Sequence, residues 1–293
     1  MRTFRAVLRY GTFPALALGA GGAVVHLIGR GAPAWQPVAV FLVAILGMLT
    51  VERLIPYNPA WNESHGDVGR DVAHFSVNSL LNHAGLLALP ALASLALLPD
   101  AWPHAWPSWL QVVFSLVVLD LGIAAAHHAS HRWNALWRFH AVHHSVKRLY
   151  GFNGLMKHPV HQAIETASGV LPLLLLGIPA DVASAMTLCV GIQLLLQHSN
   201  ADYRTGPLKY LFAVAEVHRF HHRNAASGDV NFGLVTTLYD HLAGTFHYAR
   251  GEAPRASAEL GIAGEENYPR TYLAQLVAPL RSSRRWEARA ART

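Results

Sequence analysis

A single cysteine, Cys189, occurs among 293 residues. That excludes a disulfide framework and a thiolate-rich zinc or iron–sulfur site, each of which needs several. Charge is scarce as well. Asp, Glu, Lys and Arg make up 14% of the chain, against about 25% in an ordinary soluble domain. Hydrophobic residues reach 52% and mean hydropathy is +0.24, the profile of a chain with much of its length in lipid and not of a disordered or collagenous one. The 17 acids are outnumbered by 19 histidines. Surface histidines do not ordinarily outnumber carboxylates, so histidine is the residue to explain.

A bilayer-spanning helix needs about 20 mostly apolar residues. Windows near that length are Phe13–Arg30, Gln36–Val51, Ser79–Leu98 and Trp109–Ala126. A fifth apolar stretch, Val160–Gln197, is interrupted by Gly177-Ile178-Pro179-Ala180-Asp181 and reads as a helical hairpin with breakers at its tip. The predicted fold is therefore all-α: a polytopic membrane bundle of about four spans plus a hairpin, with a cytoplasmic, histidine-rich helical cap. The first window follows Arg2, Arg5 and Arg9 as a signal peptide would, but further apolar segments follow closely and it reads as an uncleaved span. With six spans, 22 of the 23 Lys and Arg fall on the side holding residues 1–12, 52–78, 127–159 and 198–293; only Arg30 lies opposite. The positive-inside rule makes that side cytoplasmic, in a bacterial inner membrane or the endoplasmic reticulum. The net charge of +6 then marks topology and contact with anionic headgroups, and calls for no nucleic acid. The loop bearing Trp102, Trp106 and Trp109 suits the opposite interface, where Trp concentrates.

Fourteen of the histidines lie between His127 and His247, most just beyond a span. His127 and His131 form an HxxxH, with His128 about 100° round the helix and facing elsewhere. His140, His143 and His144 form an HxxHH, and His218, His221 and His222 repeat it. Positions i, i+3 and i+4 share one helix face, so each cluster presents imidazoles together. Neutral imidazole is the commonest ligand for iron, zinc, copper and nickel. One HxxxH is a weak signal; three clusters supply enough imidazoles for two ions. His198 leaves a span at the same depth and reads as a ninth ligand. His26 and His83 read as packed or interfacial, and His65, His74 and His104 as loop or interface residues. His241 and His247 have no spacing that supports ligation.

Asp120 shares a helix stripe with His127 and His131. A carboxylate near the membrane boundary usually has a partner, and the reading here is a carboxylate that accepts a ligand imidazole's N–H and fixes its tautomer. Glu165, in line with His158 and His161, is a weaker candidate for a similar task.

The stretch Asp120–Ser145, DLGIAAAHHASHRWNALWRFHAVHHS, resembles the first two histidine boxes of the fatty acid hydroxylase/sterol desaturase superfamily of membrane-bound oxygenases. Glu216–Arg223 resembles the third box, and Asn231-Phe232-Gly233, Tyr239-Asp240 and Gly244-Thr245 are similar to the motifs that follow it. Gln197-His198-Ser199-Asn200 resembles the segment that carries the family's extra histidine. The likeness covers roughly residues 115–250, giving a division into N-terminal transmembrane helices (1–105), a hydroxylase-like domain (106–250) and a cytoplasmic tail (251–293). Departures are Ala124-Ala125-Ala126 and His128 around the first histidine, and His158-Pro159-Val160-His161 where the family has HPxE.

The resemblance implies a non-haem di-iron centre, with O₂ as co-substrate, that hydroxylates or desaturates a C–H bond of a membrane lipid. The ligand set expected is His127, His131, His140, His143, His144, His198, His218, His221 and His222. Gly19-Ala20-Gly21-Gly22 sits in a span rather than between a strand and a helix, so it is no dinucleotide fingerprint, and a separate electron-donor protein is implied. Three alternatives belong to other classes. A metal transporter places ligands near the bilayer midplane on broken helices, and a membrane zinc hydrolase needs a general-base acid of the HExxH kind; a histidine-rich metal-binding protein needs neither equal boxes nor a bundle.

Overall fold

A computed structural model describes residues 2–92, 97–224 and 226–281. Those residues form helices joined by loops, with isolated bridges and no strands. α1 (Arg2–Phe13), a π-helical stretch over Pro14–Ala20 and α2 (Gly21–Gly29) run end to end as one rod of 28 residues. Pro14 at the start of the π-helical stretch explains the irregularity, since it has no N–H to give and its ring crowds the preceding turn. α3 (Trp35–Leu54) returns beside the rod. α4 (Val68–Leu92), α5 (Ser108–Arg132), α6 (Asn134–His144), α7 (Pro159–Leu175), α8 (Ala180–Gln197), α9 (Ala215–His221), α10 (Leu238–Ala243) and α11 (Tyr272–Val277) follow.

Among the described residues four helices are long and apolar enough to cross a membrane: Arg2–Gly29, Trp35–Leu54, Ser108–Arg132 and Ala180–Gln197. The window Ser79–Leu98 falls on the later part of α4, and residues 93–96 lie outside the described set. α4 starts earlier than hydropathy suggested because its first turns are polar and packed: Asp71, His74 and Asn78 are fully buried. The hairpin forms as read. α7 stops at Gly177, whose φ of 78° suits glycine, and Pro179 precedes α8.

α5 is the centre of the bundle, packed against α2, α7 and α8. It meets α7 where two glycines face each other. A Cβ on Gly122 would lie 2.2 Å from the Ser168 carbonyl oxygen, and one on Gly169 would lie 2.7 Å from that of Leu119. Small residues let helix backbones approach this closely in membranes. At its other end α5 breaks for a single extended residue, Trp133, before α6 begins, so the first two histidine clusters fold back on each other.

A separate apolar cluster around Trp61, Trp137, Leu149, Met156 and Leu260 forms the core of the cap. Arg148 is buried there, donating to both carboxylate oxygens of Asp67 at 2.8 Å. The segment read as a tail does not hang free as far as it is described. Leu260 and Tyr268 are buried in the cap core, and Gln275 of α11 is buried against the cap. The Gln275 amide group donates to Ser145 Oγ and its oxygen meets His74 Nε2 at 2.9 Å. His74, expected in a loop or at an interface, is thus a buried bridge between α4 and α11, with its Nδ1 2.9 Å from the Lys157 carbonyl oxygen.

Candidate metal centre

The eight histidines named from spacing, with His198, converge into two groups. His127, His131, His140, His144 and His221 form one; His143, His198, His218 and His222 form the other; within each, the nitrogens lie within 4.8 Å of one another. All nine are buried. α5 brings His127 and His131 on its last turns, α6 and α9 bring the two HxxHH clusters, and His198 caps the end of α8.

The two HxxHH clusters are shared between the groups in a crossed manner. On α6, His140 and His144 enter the first group and His143 the second; at α9, His218 and His222 enter the second and His221 the first. Each pair at i, i+4 stays together because those residues sit one turn apart, and the intervening histidine leans to the neighbouring group.

The hydrogen bonds fix where several protons are. His127 Nδ1 donates to the Phe232 carbonyl at 3.0 Å, His143 Nδ1 to that of Met156 at 3.1 Å and His221 Nδ1 to that of Val230 at 2.8 Å. A carbonyl only accepts, so in these neutral rings the proton is on Nδ1 and Nε2 carries a lone pair. His131 Nδ1 lies 2.7 Å from an Asp229 carboxylate oxygen, which orients it in the same way. Yet these Nε2 atoms point at other imidazole nitrogens: His127 to His140 at 3.0 Å, His131 to His144 at 3.1 Å, and His143 to His198 at 3.3 Å. His221 Nε2 is buried with no hydrogen-bond partner. Each such lone pair is met either by an N–H on the facing ring or by a cation between the rings, and at His221 Nε2 only a cation is left to meet it. Adjacent donors each about 2.1 Å from one ion are about 3 Å apart, so the donor set fits a pair of imidazole-bound ions.

Burial keeps the ligands neutral. Desolvation, with the neighbouring imidazoles, pushes His140, His143, His144, His218 and His221 well below the usual histidine range; burial lowers His222 to about 3. Neutral imidazole is the form that binds metal.

Asp120 is not where the sequence placed its partner. Its Oδ1 accepts from the backbone N–H groups of Leu234 and Val235 at 2.8 and 2.9 Å, and its Oδ2 from Thr236 N and Thr236 Oγ1 at 2.8 and 2.5 Å. None of these is an imidazole. The physical reason is that the segment 229–236 runs along α5 from Asp120 to its last turns, and the carboxylate takes the three N–H groups of Leu234, Val235 and Thr236. Asp240 does the same next door, accepting from Phe232 N, Gly233 N and Thr245 Oγ1. Between them the two acids clamp a segment whose Asp229, Val230 and Phe232 hold three ligands of the first group. Asn231, at a positive φ of 58°, turns the backbone so that these acceptors face inward. Sequence reasoning saw these residues as a motif and not as the frame of the centre.

A third, smaller constellation flanks the first group: His161 and Glu165 lie within 4.8 Å of His140, and Lys157 donates to Glu165 Oε2. Ser130 donates its hydroxyl proton to the Ala126 carbonyl, leaving Oγ to accept from His161 Nε2 at 3.0 Å. His158 is committed elsewhere: it caps α7 by accepting from Val160 N and bonds the Leu276 carbonyl. His128 stacks on Phe232 at 4.4 Å and meets the Tyr239 hydroxyl. His26, His65, His83, His104, His241 and His247 enter neither large group.

Residues 112–245 match the family model described as fatty acid hydroxylase. An ornithine lipid hydroxylase of Rhizobium tropici is 36% identical over 258 residues, covering 82% of this chain and 74% of that protein. An alkylglycerol monooxygenase of Caenorhabditis elegans is 26% identical over 64% of this chain and 34% of its own length. A fatty acid hydroxylase of a Lecanicillium species is 29% identical over 48% of this chain and 43% of its own. No solved structure matches.

Proposed function

The chain belongs to the fatty acid hydroxylase family, and from that premise we propose that it is a membrane-bound di-iron oxygenase that hydroxylates or desaturates a lipid C–H bond. The family is one of iron-dependent, oxygen-using oxidoreductases that act on lipids. The observation that carries the reading to two ions is the division of nine buried imidazoles into groups of five and four, with lone pairs already aimed inward. The relatives named above act on an ornithine lipid, an alkylglycerol and a fatty acid, whose common part is a long hydrocarbon chain.

Iron held there supplies the oxidising power that an unactivated C–H bond requires, since no acid–base pair removes such a hydrogen at neutral pH. For hydroxylation the balance is one C–H bond and O₂ consumed, two electrons and two protons taken up, and an alcohol and water released. The protein's own part is positioning. The Phe232, Val230 and Met156 carbonyls and Asp229 orient the ligand rings, and burial of all nine excludes bulk water from the site. Ligand placement at the last turns of α5 and past the end of α8 favours this reading over a metal carrier with ligands at mid-span.

The electrons come from a separate redox protein, because the chain has no cysteine set for a cluster and no nucleotide fingerprint. The excess of basic residues on the histidine side supports both a cytoplasmic cap and docking of an acidic donor. The division into helices 1–105, a hydroxylase domain 106–250 and a segment 251–293 belongs to the same reading.

Purified protein is expected to hold two irons and to consume O₂ with a reductant and lipid. His131→Ala, His143→Ala and His221→Ala each remove a ligand and lose metal and turnover together, and His198→Ala loses part of the metal. His65→Ala keeps both. A His221→Ala protein with full metal and full activity would sink the two-ion reading.

A further inference from the structure

The glycine run of the first span is unused by the metal centre, and its surroundings assign it a task. Gly21, Gly22 and Gly29 line a cleft of about 680 Å³ between the first span, α5 and α8, within the ~300–1,000 Å³ usual for small-molecule sites. Glycine inside a helix costs about 1 kcal/mol relative to alanine, so a cluster of it is there for close packing or for space. At Gly122 the reason is packing, as shown above. At Gly22 it is space: a Cβ there would meet nothing within 4 Å. The π-helical stretch Pro14–Ala20 adds Ala17 and Leu18 to the same wall, and such irregular turns frequently mark functional sites.

The cleft is mostly hydrocarbon along its length and follows the first span from Phe13 to Arg30, about 25 Å at the helical rise. That is most of a hydrocarbon core of about 30 Å. Its lips are open between the spans, where Leu18, Trp109 and Val113 are exposed. The medium outside those lips is acyl chain. At the Phe13 end, where the Phe212 ring lies 5.4 Å from that of Phe13, Gln193 and Val235 also line the cleft. Gln193 donates to the Ala213 and Leu234 carbonyls, and Val235 belongs to the segment clamped by Asp120. The same segment, three residues earlier, gives its Phe232 carbonyl to His127. One short piece of backbone is thus both a wall of the cleft and part of the frame of the histidine group.

We propose that this cleft seats the hydrocarbon chain of the lipid substrate, laid along the first span with one end against the Gln193–Val235 wall, which is tied to Asp120 about two turns of α5 from His127. The proposal rests on the oxygenase reading and gives its substrate a place. The fit is to a single long alkyl chain: the walls offer few polar groups, and the headgroup is left outside the cleft.

The test uses the full-length, iron-loaded protein in phosphatidylethanolamine–phosphatidylglycerol discs, doped with a phospholipid carrying a diazirine on its acyl chain. After irradiation, wild-type protein is expected to carry the label on the peptides spanning 13–30 and 189–196. Gly22→Trp fills the cleft from a position with room for its backbone, and labelling there should fall roughly tenfold, about 1.4 kcal/mol of lost binding. Gly22→Ala, which adds one methyl group to open space, should label nearly as wild type does. Iron content should match wild type in both variants, which shows that the bundle and cap are folded. Turnover of the lipid on which wild type is active should fall in Gly22→Trp through a raised KM. Undiminished labelling in Gly22→Trp, or wild-type label lying elsewhere, overturns the proposal. So does lost labelling with unchanged turnover, which would make the occupant a bystander lipid. Failure of the parent reading looks different: cleft labelling in a wild-type protein that binds no iron.

Discussion

Replacing Asp120 by Asn keeps the shape of the side chain and removes its charge and half its acceptors. In the wild type each carboxylate oxygen takes two hydrogen bonds from the segment 234–236. An amide nitrogen accepts none, so one or two backbone N–H groups lose their acceptor and face N–H in a buried place; the Thr236 hydroxyl can turn and accept instead. Hydrogen bonds to charged groups contribute about 1.5–3 kcal/mol each, so the anchoring of this segment weakens by on the order of 1.5–6 kcal/mol, offset in part because a charge is no longer buried. Only a share of that reaches the ligands. The segment bonds the Nδ1 atoms of His127 and His221, and loss of such orienting partners typically lowers metal affinity about 10–100-fold, or ~1.4–2.7 kcal/mol. His143 is oriented from a different place, the Met156 carbonyl. The loss should therefore fall on the group of five. Competition of iron-loaded Asp120→Asn against a graded series of chelators is expected to show one ion released 10–100-fold more easily and the second held as in wild type. Unchanged affinity for both ions would show that the clamp does not act on the ligands. Equal weakening of both would show that the substitution loosens the whole cap and not this segment.

Acid should weaken the metal-free cap. His140, His143, His144, His218, His221 and His222 have folded pKa values below their unfolded value of about 6.5. The unfolded chain therefore takes up more protons as pH falls, and stability is complete above about pH 6.5 and lost below it. At pH 5.5 each neutral imidazole loses about 1.4 kcal/mol of that stability. Chelator-stripped protein should melt many degrees lower at pH 5.5 than at 7.5, and an equal melting temperature would refute the burial argument. Gly122→Leu should prevent α5 and α7 from meeting, since even a Cβ would lie 2.2 Å from a carbonyl oxygen; folded yield measured by size exclusion in detergent should collapse, whereas Gly66→Ala, with open space but a strained φ, should cost about 1 kcal/mol or a little more. A cysteine at Ser227, an exposed position of the cap, should react with impermeant thiol reagents only after the membrane is opened, and labelling in intact cells would reverse the proposed orientation.

Eight of the nine clustered imidazoles were legible because helix periodicity alone puts i, i+3 and i+4 on one face, and that rule needs no tertiary knowledge. Which imidazole joins which group was not. His143 and His144 are neighbours in sequence and part company because α6 lies between the two groups, a fact of packing. His198 was legible only through depth, as the first residue past an apolar run. Asp120 was found for a sound reason, that an acid so placed needs a partner, but its partner was a backbone segment more than a hundred residues away. Periodicity carries no information about such a partner. His74 misled in the opposite direction: the polar start of α4 looks like a loop to hydropathy, and it is buried by a C-terminal segment that composition alone marked as a tail.

α5 has a consequence for the position of attack. It runs unbroken from Ser108 to Arg132, with Trp109 exposed near one end and His127 and His131 on its last turns. From Trp109 to those ligands the helix climbs about 27–33 Å, close to the thickness of a hydrocarbon core. On the proposed reading the helix is a ruler, setting the centre at the edge of the hydrocarbon layer. Adding one turn would raise the histidines by about 5.4 Å relative to the lipid, and a thinner or thicker bilayer would shift the lipid relative to the histidines. If the proposed function holds, regiochemistry becomes a matter of altitude: the carbon oxidised would be the one that the membrane holds at the height where α5 ends.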